Sequence, residues 1–180
     1  GSNSVVHNTY ILNDYAVTSW YKEGVVIVDG SRPGNLVITG YYDTSPMSGA
    51  GMDGDWGVYA YLPSGNLLVS DMQEGLFVLA PAYQRGCYLE GTITEAGTGN
   101  AIFQAAVTLE ATSETANSSS NGNYACGYGI SGTYNVKFQK TGYVTKIING
   151  VTLTNGVVTA LNVQLDIAVP FNLTGQVKED

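Results

Sequence analysis

The sequence predicts an all-β protein, and three observations carry that reading. The chain has 180 residues with 23 Gly and 13 Tyr, and only 12% of residues are charged. β-Branched and aromatic residues, which suit a pleated and half-buried surface, fill short runs along it. Clusters of Gly, Pro, Asn and Asp interrupt those runs about every 8–12 residues, the spacing of a sandwich, barrel or propeller. The same composition excludes several classes. A helical bundle would need more Ala, Glu, Lys, Arg and Leu. Nucleic-acid binding would need clustered cations to neutralise phosphates, whereas 7 Lys and Arg face 15 Asp and Glu for a net charge of −8. Two Cys are too few for a disulfide-dense scaffold. No apolar run approaches the roughly 20 residues of a membrane span.

The elements follow in order. Strands are expected at Thr9–Leu12, Tyr15–Trp20, Gly24–Asp29 and Leu36–Tyr42. Residues 43–55 are rich in Gly, Ser and Asp and read as a loop. Trp56–Tyr61, Asn66–Asp71 and Gly75–Leu79 come next, joined through Pro63-Ser-Gly-Asn66 and Gln73-Glu-Gly75. Asp29 and Asp71 each close a strand ahead of a turn, where a carboxylate caps backbone N–H groups. Pro81-Ala-Tyr-Gln-Arg-Gly86 reads as a linker. Each side of it carries more acid than base, so neither points to an anionic partner.

Beyond the linker, strands are expected at Cys87–Thr94, Ala105–Glu110, Gly122–Tyr128, Gly132–Phe138, Val144–Ile148, Val151–Thr154 and Val157–Leu165. Tyr134, Val136 and Phe138 alternate with Asn135 and Lys137, the pattern of an antiparallel sheet with one wet face. Leu161, Val163 and Leu165 alternate in the same way. This half reads as a seven-strand sandwich. Ala101–Ala116 supports two readings. Ile102, Ala105, Ala106 and Leu109 fall at helical spacing, while a strand would point Ala105, Val107 and Leu109 inward. Asn121-Gly122 offers a turn with positive φ. Tyr124 and Tyr134 suit a small core in which each hydroxyl finds a partner. The organisation expected is 1–80, a linker at 81–86, a sandwich at 87–166, and the start of a further module or a tail at 167–180. Gly1-Ser2 reads as the scar of a cleaved tag, and both termini suggest an excerpt of a longer polypeptide.

The first half resembles the last two blades of the LVIVD-repeat, choice-of-anchor B type β-propeller family. The resemblance covers about His7 to Leu79. It rests on Val25-Val-Ile-Val-Asp29 followed by Pro33, on the run from Trp56 to Asn66, and on the run from Ser70 to Leu79. It implies a partial propeller, with four strands before the 43–55 loop and three after it. The second half is similar to the carboxypeptidase regulatory-like domain, a transthyretin-like, Ig-like β-sandwich. That similarity rests on Leu89–Thr94, Ala105–Leu109, Asn121-Gly-Asn-Tyr124 (where the family usually has Asp-Gly-x-Tyr), Gly132–Phe138 and Gly142-Tyr143. Asn172–Lys178 resembles the opening strand of another such module. Together the resemblances imply a secreted or cell-surface bacterial protein, of which this chain is part.

Catalytic groups are scarce. His7 is the single His, which argues against Ser–His–Asp and Cys–His chemistry and against an ordinary zinc site. The family's zinc ligands belong to a separate catalytic domain, so the resemblance implies no enzyme and no cofactor here. Asp43, Asp53 and Asp55 in the loop are candidate Ca²⁺ ligands, since that ion takes oxygen donors; a solvated acidic loop is the competing reading. Trp20, Tyr21, Tyr42 and Trp56 are candidates for a ligand platform that stacks sugars or anchors a protein, with core packing as the competing role. The turn after Trp20 and Tyr21 leaves one of that pair exposed. Cys87 and Cys126 both share parity with inward residues. They form either a disulfide or two buried thiols. The function expected is a non-catalytic extracellular interaction or spacer module that binds protein or carbohydrate. The alternative is an accessory domain of a secreted hydrolase whose catalytic part lies elsewhere. Incomplete blades would also expose strand edges that favour self-association.

Overall fold

The computed structural model describes residues 5–47, 49 and 51–169. Gly1-Ser2, expected to be a tag scar, and most of the expected tail lie outside the described residues. Fifteen strands and no helix occur among those that are described. The first seven are β1 (Asn8–Leu12), β2 (Tyr15–Ser19), β3 (Val25–Asp29), β4 (Val37–Tyr42), β5 (Asp55–Tyr59), β6 (Leu67–Asp71) and β7 (Gly75–Leu79). They match the expected strands to within a residue or two. β1 to β4 form one antiparallel meander and β5 to β7 a second.

The two sheets share one core. Tyr15, Val17, Val25 and Ile27 of the first pack with Val58, Leu67 and Val69 of the second. Alternation explains the choice of face, because side chains two apart on a strand point the same way. The outer face of the second sheet stays open, with Leu76 67% and Val78 59% exposed. This arrangement supplies four strands before the loop and three after it, and no closed ring of sheets forms among the described residues.

The second half is a sandwich. Its strands are β8 (Cys87–Glu95), β9 (Ala106–Leu109), β10 (Thr115–Asn117), β11 (Asn123–Tyr128), β12 (Gly132–Gln139), β13 (Lys146–Leu153), β14 (Val158–Ala160) and β15 (Val163–Leu165). One sheet runs β10-β9-β12-β13, and the other runs β11-β8-β14 with β15 also on β8. Leu89, Ile93, Val107, Leu109, Val136, Phe138 and Leu165 fill the space between them. Full burial of such a side chain stabilises by about 1.5–3 kcal/mol.

Ala101–Ala116 adopts the strand alternative. Ala105, Val107 and Leu109 are fully buried, and Ala111 turns the chain at φ 66° into β10. Two expected strands, 144–148 and 151–154, are one strand, β13, which passes through Gly150 at φ 73°. The expected strand Val157–Leu165 instead breaks into β14 and β15, and both run parallel to β8. The break sits at Leu161, whose carbonyl oxygen would lie 2.0 Å from a Cβ on Gly91. That oxygen accepts the Tyr124 hydroxyl at 2.7 Å. Only a residue without a side chain at 91 permits this approach.

Candidate functional site

The contact between the two halves is built around Asp29, the last residue of β3. As expected it caps its turn, accepting the Ser31 N–H at 3.0 Å. It also accepts the Gly86 N–H at 2.8 Å, the Arg85 guanidinium at 3.0 Å and the Tyr88 hydroxyl. Burial alone would raise its pKa, but the Tyr88, Ser31 and Gly86 hydrogen bonds together hold the carboxyl well below the usual range. The irregular segment 81–86 is therefore fixed at its C-terminal end.

A second polar set lies alongside. Arg32 pairs with Glu90 through two hydrogen bonds of 2.9 and 2.8 Å. Asn35 donates to Glu90 at 3.1 Å and to the Cys126 carbonyl at 3.0 Å. Both arginines of the chain thus serve this junction. Backbones approach closely here as well. A Cβ on Gly127 would lie 2.4 Å from Val37, and one on Gly129 would lie 2.6 Å from the Ile38 carbonyl oxygen.

Between the halves the junction leaves a groove of about 830 Å³. Trp20, Ile38 and Tyr41 line it from the first half, and Glu114, Tyr128 and Ile130 from the second. Glu23 adds a second carboxylate, and no lysine or arginine contributes to the lining. Tyr41 is 77% exposed, so its ring is open to a ligand. Burial raises the pKa of the Glu114 carboxyl. The buried Thr39 hydroxyl in the wall has no hydrogen-bond partner. Aromatic faces with a few polar groups in a concave wall are the usual make-up of a small-ligand site.

The residues expected to form one platform are dispersed. Trp20 lines the groove. Tyr21 is only 5% exposed and lies edge-on to His7 at 5.5 Å and to Trp56 at 6.2 Å. Trp56 is exposed and stacks on His7 at 4.2 Å. Tyr42 has its ring contact with Phe77 instead, at 6.0 Å. The loop acids are dispersed too. Asp43 caps the Ser45 N–H at 3.0 Å, Asp53 faces Lys22 at 3.6 Å, and Asp55 is buried. No group of three or more His, Cys, Asp or Glu side chains converges among the described residues.

Cys87 and Cys126 are buried free thiols. The β8–β11 register sets Cys126 opposite Leu89 and Cys87 opposite Tyr128, so the two are diagonal neighbours. Burial pushes the Cys126 thiol up to about 11 and raises that of Cys87. Both therefore stay protonated at neutral pH.

Sequence reading missed Tyr128 and Glu114 as groove residues and Tyr88, Arg85 and Glu90 as junction residues. The available signal was the position of both arginines beside turns in a chain so poor in charge. Among the described residues, no helix is long and apolar enough to cross a membrane.

No curated protein matches the sequence significantly. Among solved structures, the chain is similar to a type II cohesin–X-dockerin complex from Acetivibrio cellulolyticus. The identity is 25% and the TM-score 0.38, covering 43% of this chain and 52% of that one. It is also similar to GBS52, the minor pilin of Streptococcus agalactiae, with 12% identity, a TM-score of 0.37 and 66% of each chain covered. The chain thus spans about half the length of the cohesin–X-dockerin chain it matches. Residues 88–166, from β8 through β15, match the family profile of the carboxypeptidase regulatory-like domain.

Proposed function

We propose that this chain is a non-catalytic interaction module of a larger extracellular protein, and that it binds a neutral glycan in the groove between its halves. The observation that carries this reading is the convergence of Trp20, Tyr41 and Tyr128 with Glu23 and Glu114 on the facing walls of one groove. Sugar rings present an apolar C–H face that stacks on aromatics, and their hydroxyls donate to carboxylates. The absence of lysine and arginine from the lining disfavours an anionic ligand. The Asp29 junction keeps the two walls in fixed relation, which lowers the ordering cost of binding.

Titration calorimetry against neutral oligosaccharides chosen from a glycan array tests the reading. Trp20→Ala and Tyr128→Ala are each expected to weaken binding about tenfold or more, the loss typical of a central aromatic contact. Failure of every neutral glycan to bind the intact chain rejects it.

For the first half, the reading is a pair of blades from a propeller. What supports it is a four-stranded and a three-stranded meander packed on a shared core. The open face of the second sheet, carrying Tyr59, Leu76 and Val78, would then be the side on which a neighbouring sheet packs. Sedimentation velocity is expected to show reversible self-association of the isolated chain, weakened by Leu76→Lys with Val78→Lys. A strict monomer at high concentration counts against this reading.

A further inference from the structure

We propose that Asp55 and Asp71, together with the Thr44 hydroxyl, form a binding site for a hard divalent cation of the calcium class. Asp55 and Asp71 are direct cross-strand partners on β5 and β6. Leu67, Val69 and Asp71 alternate onto the buried face of β6, so the pair closes one end of the core between the two sheets. Side chains directly opposite on antiparallel strands have Cβ atoms about 4.5–5.5 Å apart. That spacing lets two carboxylates meet one ion at oxygen distances of about 2.3–2.6 Å.

The hydrogen-bond inventory sets the two acids apart. Asp71 is satisfied: one oxygen accepts the Gln73 and Glu74 N–H groups, each at 2.9 Å, and the other accepts the Thr44 hydroxyl at 2.9 Å. Asp55 has 0% exposure, yet neither of its carboxylate oxygens has a hydrogen-bond partner. A buried carboxylate without donors, set beside a second carboxylate, demands neutralisation. A cation supplies it and uses both free oxygens. The Thr44 hydroxyl, which donates to Asp71, still has lone pairs to offer the same ion, and water or backbone carbonyls would complete an oxygen shell. Zinc does not fit, because among the described residues no Cys or His contributes and no third acid converges. The set also differs from the loop acids the sequence suggested, since only Asp55 is common to both.

The test uses the full chain treated with chelator and then given calcium or magnesium. Calorimetry and thermal unfolding are the readouts. Millimolar calcium is expected to raise the unfolding temperature of the wild type by about 5 °C or more, as ligand linkage requires for binding well below that concentration. Asp55→Asn and Asp71→Asn are expected to fold and to lose both the heat of binding and the shift. Asp55→Ser serves as the second variant at that position. An unshifted wild type, or a shift that persists in the Asp55 variants, overturns the proposal. In the first of those outcomes, a proton rather than a metal neutralises Asp55.

Discussion

Asp29→Ala is expected to destabilise the chain by about 3–5 kcal/mol, the range for removing one partner of a buried charged network. The loss exceeds that of an ordinary turn cap, because the substitution strands three further groups. The Gly86 N–H, the Tyr88 hydroxyl and one arm of the Arg85 guanidinium all lose their acceptor inside the junction. Urea unfolding checks the magnitude. Limited proteolysis checks the location, and new cleavage within 81–86 is the expected sign that the halves have separated. The pH dependence has a definite sign. Asp29 titrates below its ordinary value when folded, so its contribution is present above the unfolded carboxylate pKa of about 3.9. It is lost as pH falls from there through the lower folded value. A junction equally stable at about pH 7 and pH 2 would contradict this assignment.

Asp55→Asn is expected to act in the opposite direction. Burial first, and the neighbouring Asp71 carboxylate as a smaller cause, raise the Asp55 pKa from 3.8 to about 7, and the nearby Gly57 N–H, which completes no hydrogen bond to the carboxylate, opposes only part of that rise. A folded value above the unfolded one means the favourable contribution is full below pH 3.8 and is lost as pH rises through about 7. Three units correspond to a loss on the order of 4 kcal/mol by about pH 8 in the chelator-treated protein. Asn has the same shape and no charge, so the variant removes this slope and is the more stable form at alkaline pH. Unfolding curves from about pH 4 to pH 8 compare the two. Parallel profiles for wild type and variant would show that Asp55 ionises freely and that its burial carries no cost.

The first seven strands were legible because each is a short run rich in β-formers, such as Val25–Asp29, set between turn-forming residues. Gly75, for example, takes φ 88° at the turn into β7. The break between β14 and β15 was not legible, because it depends on Leu161 meeting Gly91 and Tyr124, which lie far away in sequence. The parallel pairing of β14 and β15 with β8 was hidden for the same reason. Alternation gives the buried face of a strand but not its neighbour. The aromatic candidates were identified by type and dispersed by topology. Trp20 reached the groove, Tyr21 went inward, and Tyr128, at the end of β11, supplied the facing wall.

The sequence by itself determined the all-β class, the turn positions, the inward faces and the capping role of Asp29 and Asp71. These depend on residues within a few positions of one another, where backbone preference and period act directly. The tertiary structure alone decided that Asp29 joins two halves while Asp71, in the matching place on β6, faces a second acid. It also decided which rings line the groove. Those outcomes arise from pairing and packing between separate strands, 57 residues apart for Asp29 and Gly86 and on the neighbouring strand for Asp71 and Asp55, and no local pattern encodes which buried carboxylate will meet a donor and which will meet a like charge.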